Sequence, residues 1–136
     1  PDSYSQTTPS EMGSLLADIY QCAQNNGGAL IAAFPDKVSP QTCQLLIDFM
    51  AQDKLGSLIQ GGVPDGTLVP HKHGYVPASD GVVRDTSDVG IVYTSGGNFV
   101  LSIYTYHPVT NIWDITNPLF GNLTKAVYNY FNVSTQ

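Results

Sequence analysis

Apolar residues recur at helical spacing near the start of the chain: Met12, Leu15, Leu16, Ile19, Cys22 and Ala23. Thr8 can cap this stretch, Pro9 suits its first position, and Glu11 lies three residues after the cap. The pattern predicts a helix over 8–25, ended by Asn25-Asn26-Gly27-Gly28. A short apolar run, Ala29 to Phe34, follows. Ser39-Pro40 opens a second helix, 39–53, with Cys43, Leu46, Ile47 and Met50 as its stripe. The period then changes. Gly61 to Gly66 is turn chemistry, and strands are predicted over 68–76, 89–94 and 98–106, rich in β-branched and aromatic residues. A polar loop separates the first two, and Ser95-Gly96-Gly97 makes a tight hairpin of the last two. Asn117-Pro118 starts a last helix, 117–131, with Leu119, Leu123, Ala126, Val127, Tyr130 and Phe131 turned inward. The order predicts an α+β fold, an antiparallel sheet with flanking helices, in a single domain over 1–136.

Composition narrows the function. The chain is 42% hydrophobic and only 12% charged, which excludes a disordered segment. Its 136 residues suffice for one core. A formal charge of −6 argues against a nucleic-acid partner. No apolar run approaches the ~18 residues of a membrane span. The chain starts at Pro1, so a processed protein or a piece of a longer one is expected. Cys22 and Cys43 lie on apolar stripes, one late in the first helix and one early in the second. They suit either one disulfide in an oxidising compartment or two buried thiols.

The candidate chemistry is concentrated in Leu68-Val69-Pro70-His71-Lys72-His73-Gly74-Tyr75. An ammonium among hydrophobes needs an anion. Gly74 removes a side chain from the same strand, which lets a ligand or a backbone come close. Lys72 is therefore either the anion holder of a site or a charge guarding an exposed edge. His71 and His73 share a face, and His107 closes the third strand, a set able to attract zinc. No Cys, Asp or Glu sits at ligand spacing around them and Lys72 lies between, so no metal is expected. Arg84 is either a second cation for the site or a solvated loop residue. Tyr75, Tyr93, Tyr104 and Tyr106 read as packed strand residues.

The segment from Pro64 to Tyr75 resembles the strand that carries the Lys-Thr/Ser-Gly motif of serine β-lactamases and penicillin-binding proteins. The likeness continues in order. Asp88-Val89-Gly90-Ile91-Val92-Tyr93 resembles the next strand of class A β-lactamases, Asn98 to Thr105 the last strand, and Asn117 to Phe131 the closing helix. Thr7-Thr8-Pro9-Ser10-Glu11-Met12 is similar to the helix start after that family's omega loop. The resemblance implies that Lys72 attracts a substrate carboxylate and supports a proton-relay serine. It implies that Gly74 keeps the strand open and that the Tyr75 N–H is one oxyanion donor, worth ~3–4 kcal/mol to acyl transfer. His73 stands where that family has a hydroxyl. Carboxylate binding by an imidazole there would strengthen as pH falls toward ~6.5. Alternation places Lys72 and His73 on opposite faces, a tension that a long lysine stem could relieve.

The family's other motifs are missing from this chain. The residues three before Lys37, Lys54, Lys72 and Lys125 are Phe34, Ala51, Val69 and Asn122, so there is no Ser-x-x-Lys nucleophile. Ser79-Asp80-Gly81 lies in the wrong place for Ser-Asp-Asn, and the sole glutamate, Glu11, is not an omega-loop base. The chain resembles the C-terminal portion of a class A β-lactamase-like hydrolase, contributing one wall of a site and inactive alone. The resemblance implies a β-lactam or peptidoglycan-peptide-like ligand, no cofactor and an extracytoplasmic location. A missing N-terminal segment or a swapped self-dimer would cover its exposed apolar surface. The alternatives are a penicillin-binding D,D-peptidase and a non-catalytic binding domain.

Overall fold

The computed structural model describes residues 6–25 and 27–133. Its elements are α1 (Pro9–Asn25), α2 (Ala29–Ala33), α3 (Pro40–Met50), a 3₁₀ turn (Gln60–Gly62), β1 (His71–Gly74), β2 (Asp85–Val92), β3 (Phe99–Tyr106) and α4 (Trp113–Phe131). The strands form one antiparallel sheet in the order β1-β2-β3.

Local chemistry sets most of the boundaries. The Thr8 hydroxyl accepts from the Glu11 N–H, and the Glu11 carboxylate accepts from the Thr8 N–H at 2.8 Å, a reciprocal cap for α1. Ser39 and Thr42 make the same exchange ahead of α3. β1 is shorter than the 68–76 run because Pro70 has no N–H to give. Pairing nevertheless continues through carbonyls, with Ile91 N–H bonded to Pro70 O and Tyr93 N–H to Leu68 O.

Helices cover both faces of the sheet. Val89, Ile91, Val100 and Tyr104 point to α1 and α3, where they meet Leu16, Ile19 and Ile47. Val69, Val92, Leu101 and Ile103 point the other way, to Ile59, Val127 and Phe131. A disulfide joins Cys22 of α1 to Cys43 of α3, with Cα atoms 6.0 Å apart.

The last helix differs from expectation in start and facing. It begins at Trp113, and Pro118 lies inside it. Asn117 is no cap; its side-chain oxygen accepts the Leu58 N–H at 2.8 Å. Thr116, Phe120 and Thr124 form the buried face, while Leu119, Leu123 and Tyr130 are exposed. The rotation follows from a close approach of α4 to the 3₁₀ turn. A Cβ on Gly62 would fall inside contact distance of the Gly121 carbonyl oxygen and the Thr124 side chain. Gly62→Ala is therefore expected to cost about 1–3 kcal/mol in chemical denaturation. Gly61→Ala, whose Cβ would meet nothing within 4 Å, is the control. Equal effects at the two positions would remove this account of the helix facing.

Candidate functional site

β1 is an edge strand, so its two faces are reached by different parts of the chain. Lys72 and Gly74 share a face with Ser87 and Val89, on the α1 and α3 side. His71 and His73 share the opposite face, and that face holds two carboxylates. The alternation noted in the sequence is real, and Lys72 bends rather than crosses. Its Nζ donates to the His73 carbonyl oxygen of its own strand at 2.6 Å.

Asp88 on β2 is wholly buried, as is His71 at 2% exposure. The His71 Nδ1–H lies 3.0 Å from both Asp88 oxygens, and the Ile59 N–H donates to Asp88 Oδ2 at 3.1 Å. Gly90, the Cα partner of His71, makes this possible. A Cβ there would lie 2.9 Å from His71 Cβ. Asp53 follows α3 and passes the β1 edge on the way to the 3₁₀ turn. Its Oδ2 accepts His73 Nδ1–H at 2.8 Å, its Oδ1 accepts the Leu55 N–H at 2.8 Å, and Oδ1 stands 3.9 Å from His71 Nε2.

This geometry moves two protonation equilibria. Burial pulls the His71 imidazolium down, but the hydrogen bond and charge of Asp88, with the charge of Asp53, outweigh it and the net shift is upward. Burial pushes the Asp53 carboxyl up, but the Leu55 N–H and the two histidines prevail and hold it below the usual carboxylate range.

Asp53 and Asp88 are the residues that sequence spacing missed. They lie 18 or more positions from the nearest ring they touch in one case and on a paired strand in the other, with separations of 20 for Asp53–His73 and 17 for Asp88–His71. The statement that no carboxylate surrounds the histidines holds along the chain and fails in space. Among the described residues no group of three or more His, Cys, Asp or Glu is placed to hold a metal ion. His107 stands apart at the end of β3, its Nδ1 accepting the Val109 and Thr110 N–H groups.

Other predicted site residues sit as follows. Lys72, His73 and Gly74 line a cavity of about 410 Å³ with Met12, Leu46 and Ser87. The space beside Gly74 is partly used within the sheet, since a Cβ would come 2.8 Å from Ser87 Oγ. Tyr75 follows β1 half-exposed, stacked on His73 with centroids 5.7 Å apart. Arg84 precedes β2 and is committed elsewhere: its guanidinium grips Asp80 at 3.0 and 2.5 Å and donates to the Pro108 carbonyl. Tyr106, expected to pack, is 70% exposed.

Known proteins match this chain in sequence and in fold. The chain is 25% identical to Beta-lactamase VEB-1 of Pseudomonas aeruginosa over 125 residues, 91% of this chain and 38% of that protein. A beta-lactamase from Chitinophaga pinensis superposes with a TM-score of 0.71 at 19% identity, covering 93% of this chain and 42% of the other. An acyl-enzyme complex of a PBP-A mutant with penicillin G superposes with a TM-score of 0.67 at 20% identity, over 92% and 40%. The chain thus spans about two fifths of the length of these relatives. The family model described as the beta-lactamase enzyme family matches residues 1–131, and with the motif order and the sheet in agreement, the chain belongs to that family.

Proposed function

We propose that this chain forms the substrate-binding wall of a β-lactamase-like serine hydrolase, with β1 as the ligand strand. The observation that carries the reading is Lys72. Lys72 lines the cavity with Gly74 and His73, its ammonium is held by the His73 carbonyl, and among the described residues no carboxylate pairs with it. Such a cation is available to the carboxylate of a β-lactam or of a D-Ala-D-Ala-like amide. Arg84, paired with Asp80, is left out of this pocket. The Tyr75 N–H would polarise the scissile carbonyl as one of two oxyanion donors. The acyl-accepting serine and the base for deacylation would come from outside this chain, since no serine precedes a lysine by three.

The chain alone is therefore expected to hydrolyse nothing, as it supplies no nucleophile. Lys72→Ala should weaken penicillin G binding about 10-fold, the loss of one charge-assisted bond. Nitrocefin turnover by the purified chain, abolished in Lys72→Ala, would overturn the inactive-alone reading. Unchanged penicillin G affinity in that variant would overturn the ligand strand. A penicillin-binding D,D-peptidase is the second reading, favoured by the likeness to PBP-A.

Two further features support incompleteness and location. Ile112, just before α4, and Ile115, Leu119 and Leu123 on it are exposed apolar residues near β3, which is an edge strand among the described residues. A further segment of a longer protein, or a second copy of the chain, would cover them. The disulfide supports an extracytoplasmic setting. Among the described residues no helix is long and apolar enough to cross a membrane.

A further inference from the structure

Gly74 is the last residue of β1, and the peptide that joins it to Tyr75 is the last one the β1–β2 ladder holds. The bond from the Ile91 N–H to the Pro70 carbonyl oxygen sets the phase of that pairing. Alternation then turns the backbone groups of Lys72 and Gly74 toward β2 and those of His73 toward the free edge of β1. The His73 carbonyl oxygen is accordingly open to Lys72 Nζ, which donates to it. The peptide after Gly74 is trans, as are all those described. Its oxygen faces β2, so its nitrogen, the Tyr75 N–H, faces the other way, to the same edge as Lys72 Nζ.

A side chain of β2 holds this peptide. Ser87 is the Cα partner of Gly74, and its Oγ donates to the Gly74 carbonyl oxygen at 3.3 Å. Both residues line the cavity with Lys72. The contact depends on the glycine, because a Cβ on Gly74 would come 2.8 Å from Ser87 Oγ. Gly74 is not in the left-handed region, so space and not backbone conformation calls for glycine here. Glycine also raises little steric barrier to turning the peptide that follows it, and Tyr75 lies beyond the strand. The Tyr75 ring, stacked on His73, anchors its own side chain and leaves the direction of the N–H to whatever holds the carbonyl.

We propose that Ser87 is a positioning residue: its hydroxyl fixes the Gly74–Tyr75 peptide with the Tyr75 N–H turned to the free edge, where the carbonyl of a bound amide or β-lactam would accept it. The inference deepens the reading of β1 as the ligand strand and rests on it. An oxyanion donor is most effective when it is aimed in advance, since a peptide that must turn during the reaction loses part of the gain. On this account Gly74 serves the sheet as well as the ligand. A side chain there would displace Ser87 Oγ, and the donor would lose its aim.

Nitrogen-15 relaxation of the chain reads the hold directly. The Tyr75 amide is expected to be rigid in the wild type, with an order parameter of about 0.85, and to fall toward about 0.6 in Ser87→Ala. Ser87→Thr keeps a hydroxyl and should restore it. Gly74→Ala, whose Cβ displaces Ser87 Oγ, should reproduce the Ser87→Ala value. Should Ser87→Ala fail to fold, Gly74→Ala gives the same reading. Penicillin G is then titrated into each variant. The wild-type Tyr75 amide proton should move downfield. Ser87→Ala should bind about 5-fold more weakly, the worth of one hydrogen bond, with a smaller movement. Equal order parameters in wild type and Ser87→Ala overturn the inference, and so does a loss of the same size in Ser87→Thr. A Tyr75 amide that does not respond to penicillin G overturns it while leaving the ligand strand intact, provided Lys72→Ala still weakens binding. No penicillin G binding, with Lys72→Ala indistinguishable from wild type, overturns both.

Discussion

Asp88→Ala is expected to destabilise the fold by about 3–5 kcal/mol, the usual cost of removing one partner from a buried ion pair. Three groups depend on this carboxylate. His71, 2% exposed, loses the acceptor for its Nδ1–H. The Ile59 N–H, also buried, loses its acceptor. Leu58, just before it, sits in the left-handed region at φ 56°, a strained conformation for a leucine. It is held from both sides, by Asn117 on its own N–H and by Asp88 on the next. Urea denaturation of the single variants His71→Leu and Asp88→Leu and of the double variant reads the coupling. The double variant should recover the part of the loss that comes from the broken His71–Asp88 pair, but not the part from the Ile59 N–H, which still lacks its acceptor. Additive losses would mean that the two residues do not act as a unit.

His71 and Asp53 give the stability a pH profile. The His71 pKa is raised by folding, so its contribution is fully present below the unfolded value of about 6.5 and is lost as pH rises through the folded value. The Asp53 pKa is lowered, so its contribution is present above about 3.8 and is lost as pH falls through the folded value. Stability should therefore be greatest in the weakly acid range between them. His71→Leu should flatten the alkaline limb and, by removing one of the two imidazoles that hold the Asp53 carboxyl down, also shrink the acid limb, as read by melting temperature against pH. A wild-type alkaline limb unchanged by that substitution would show that another group titrates there.

What could be read in the sequence follows from how far each interaction reaches along the chain. The fold class was legible because helix caps, the hairpin glycines and the change of apolar period are all local signals. Ser39, Thr42 and Glu11 act within a span of four residues. The start of β2 was not legible, because Asp85-Thr86-Ser87-Asp88 has no apolar alternation. Thr86 and Asp88 are nevertheless buried, and the partners that satisfy Asp88, His71 and the Ile59 N–H, are distant in sequence. The facing of α4 was misread for a related reason. Leu119 and Leu123 are the more hydrophobic residues, yet small Gly121 and Thr124 face the 3₁₀ turn, since only they allow the backbones so close. At the site, Lys72, His73 and Gly74 stood out as a cluster in the sequence. Asp53, which orients His73, looked like any polar residue after a helix.

Reducing the Cys22–Cys43 bond is expected to lower stability by about 3 kcal/mol, the loop-entropy value for a closure of this order. The link spans 21 positions, and it joins α1 to α3 with Cα atoms 6.0 Å apart. Both cysteines are in the core, at 0% and 4% exposure, among Leu16, Ile19 and Ile47. The Cys22→Ala/Cys43→Ala double variant should show a similar loss without depending on reductant. At about 2.1 cal/mol/K of unfolding entropy per residue, the melting temperature should fall by about 10 °C. The effect bears on the site as well as on the fold. α3 carries Leu46 and Met50, which line the cavity with Lys72, and it leads directly into Asp53. A looser α1–α3 contact therefore lets Asp53 drift from His73, and the Nδ1–H tautomer should become less populated in the reduced chain. A melting temperature that moves by less than ~3 °C on reduction, below what even 1 kcal/mol would give, means that core packing alone fixes α3. The position of Asp53 would then owe nothing to the disulfide.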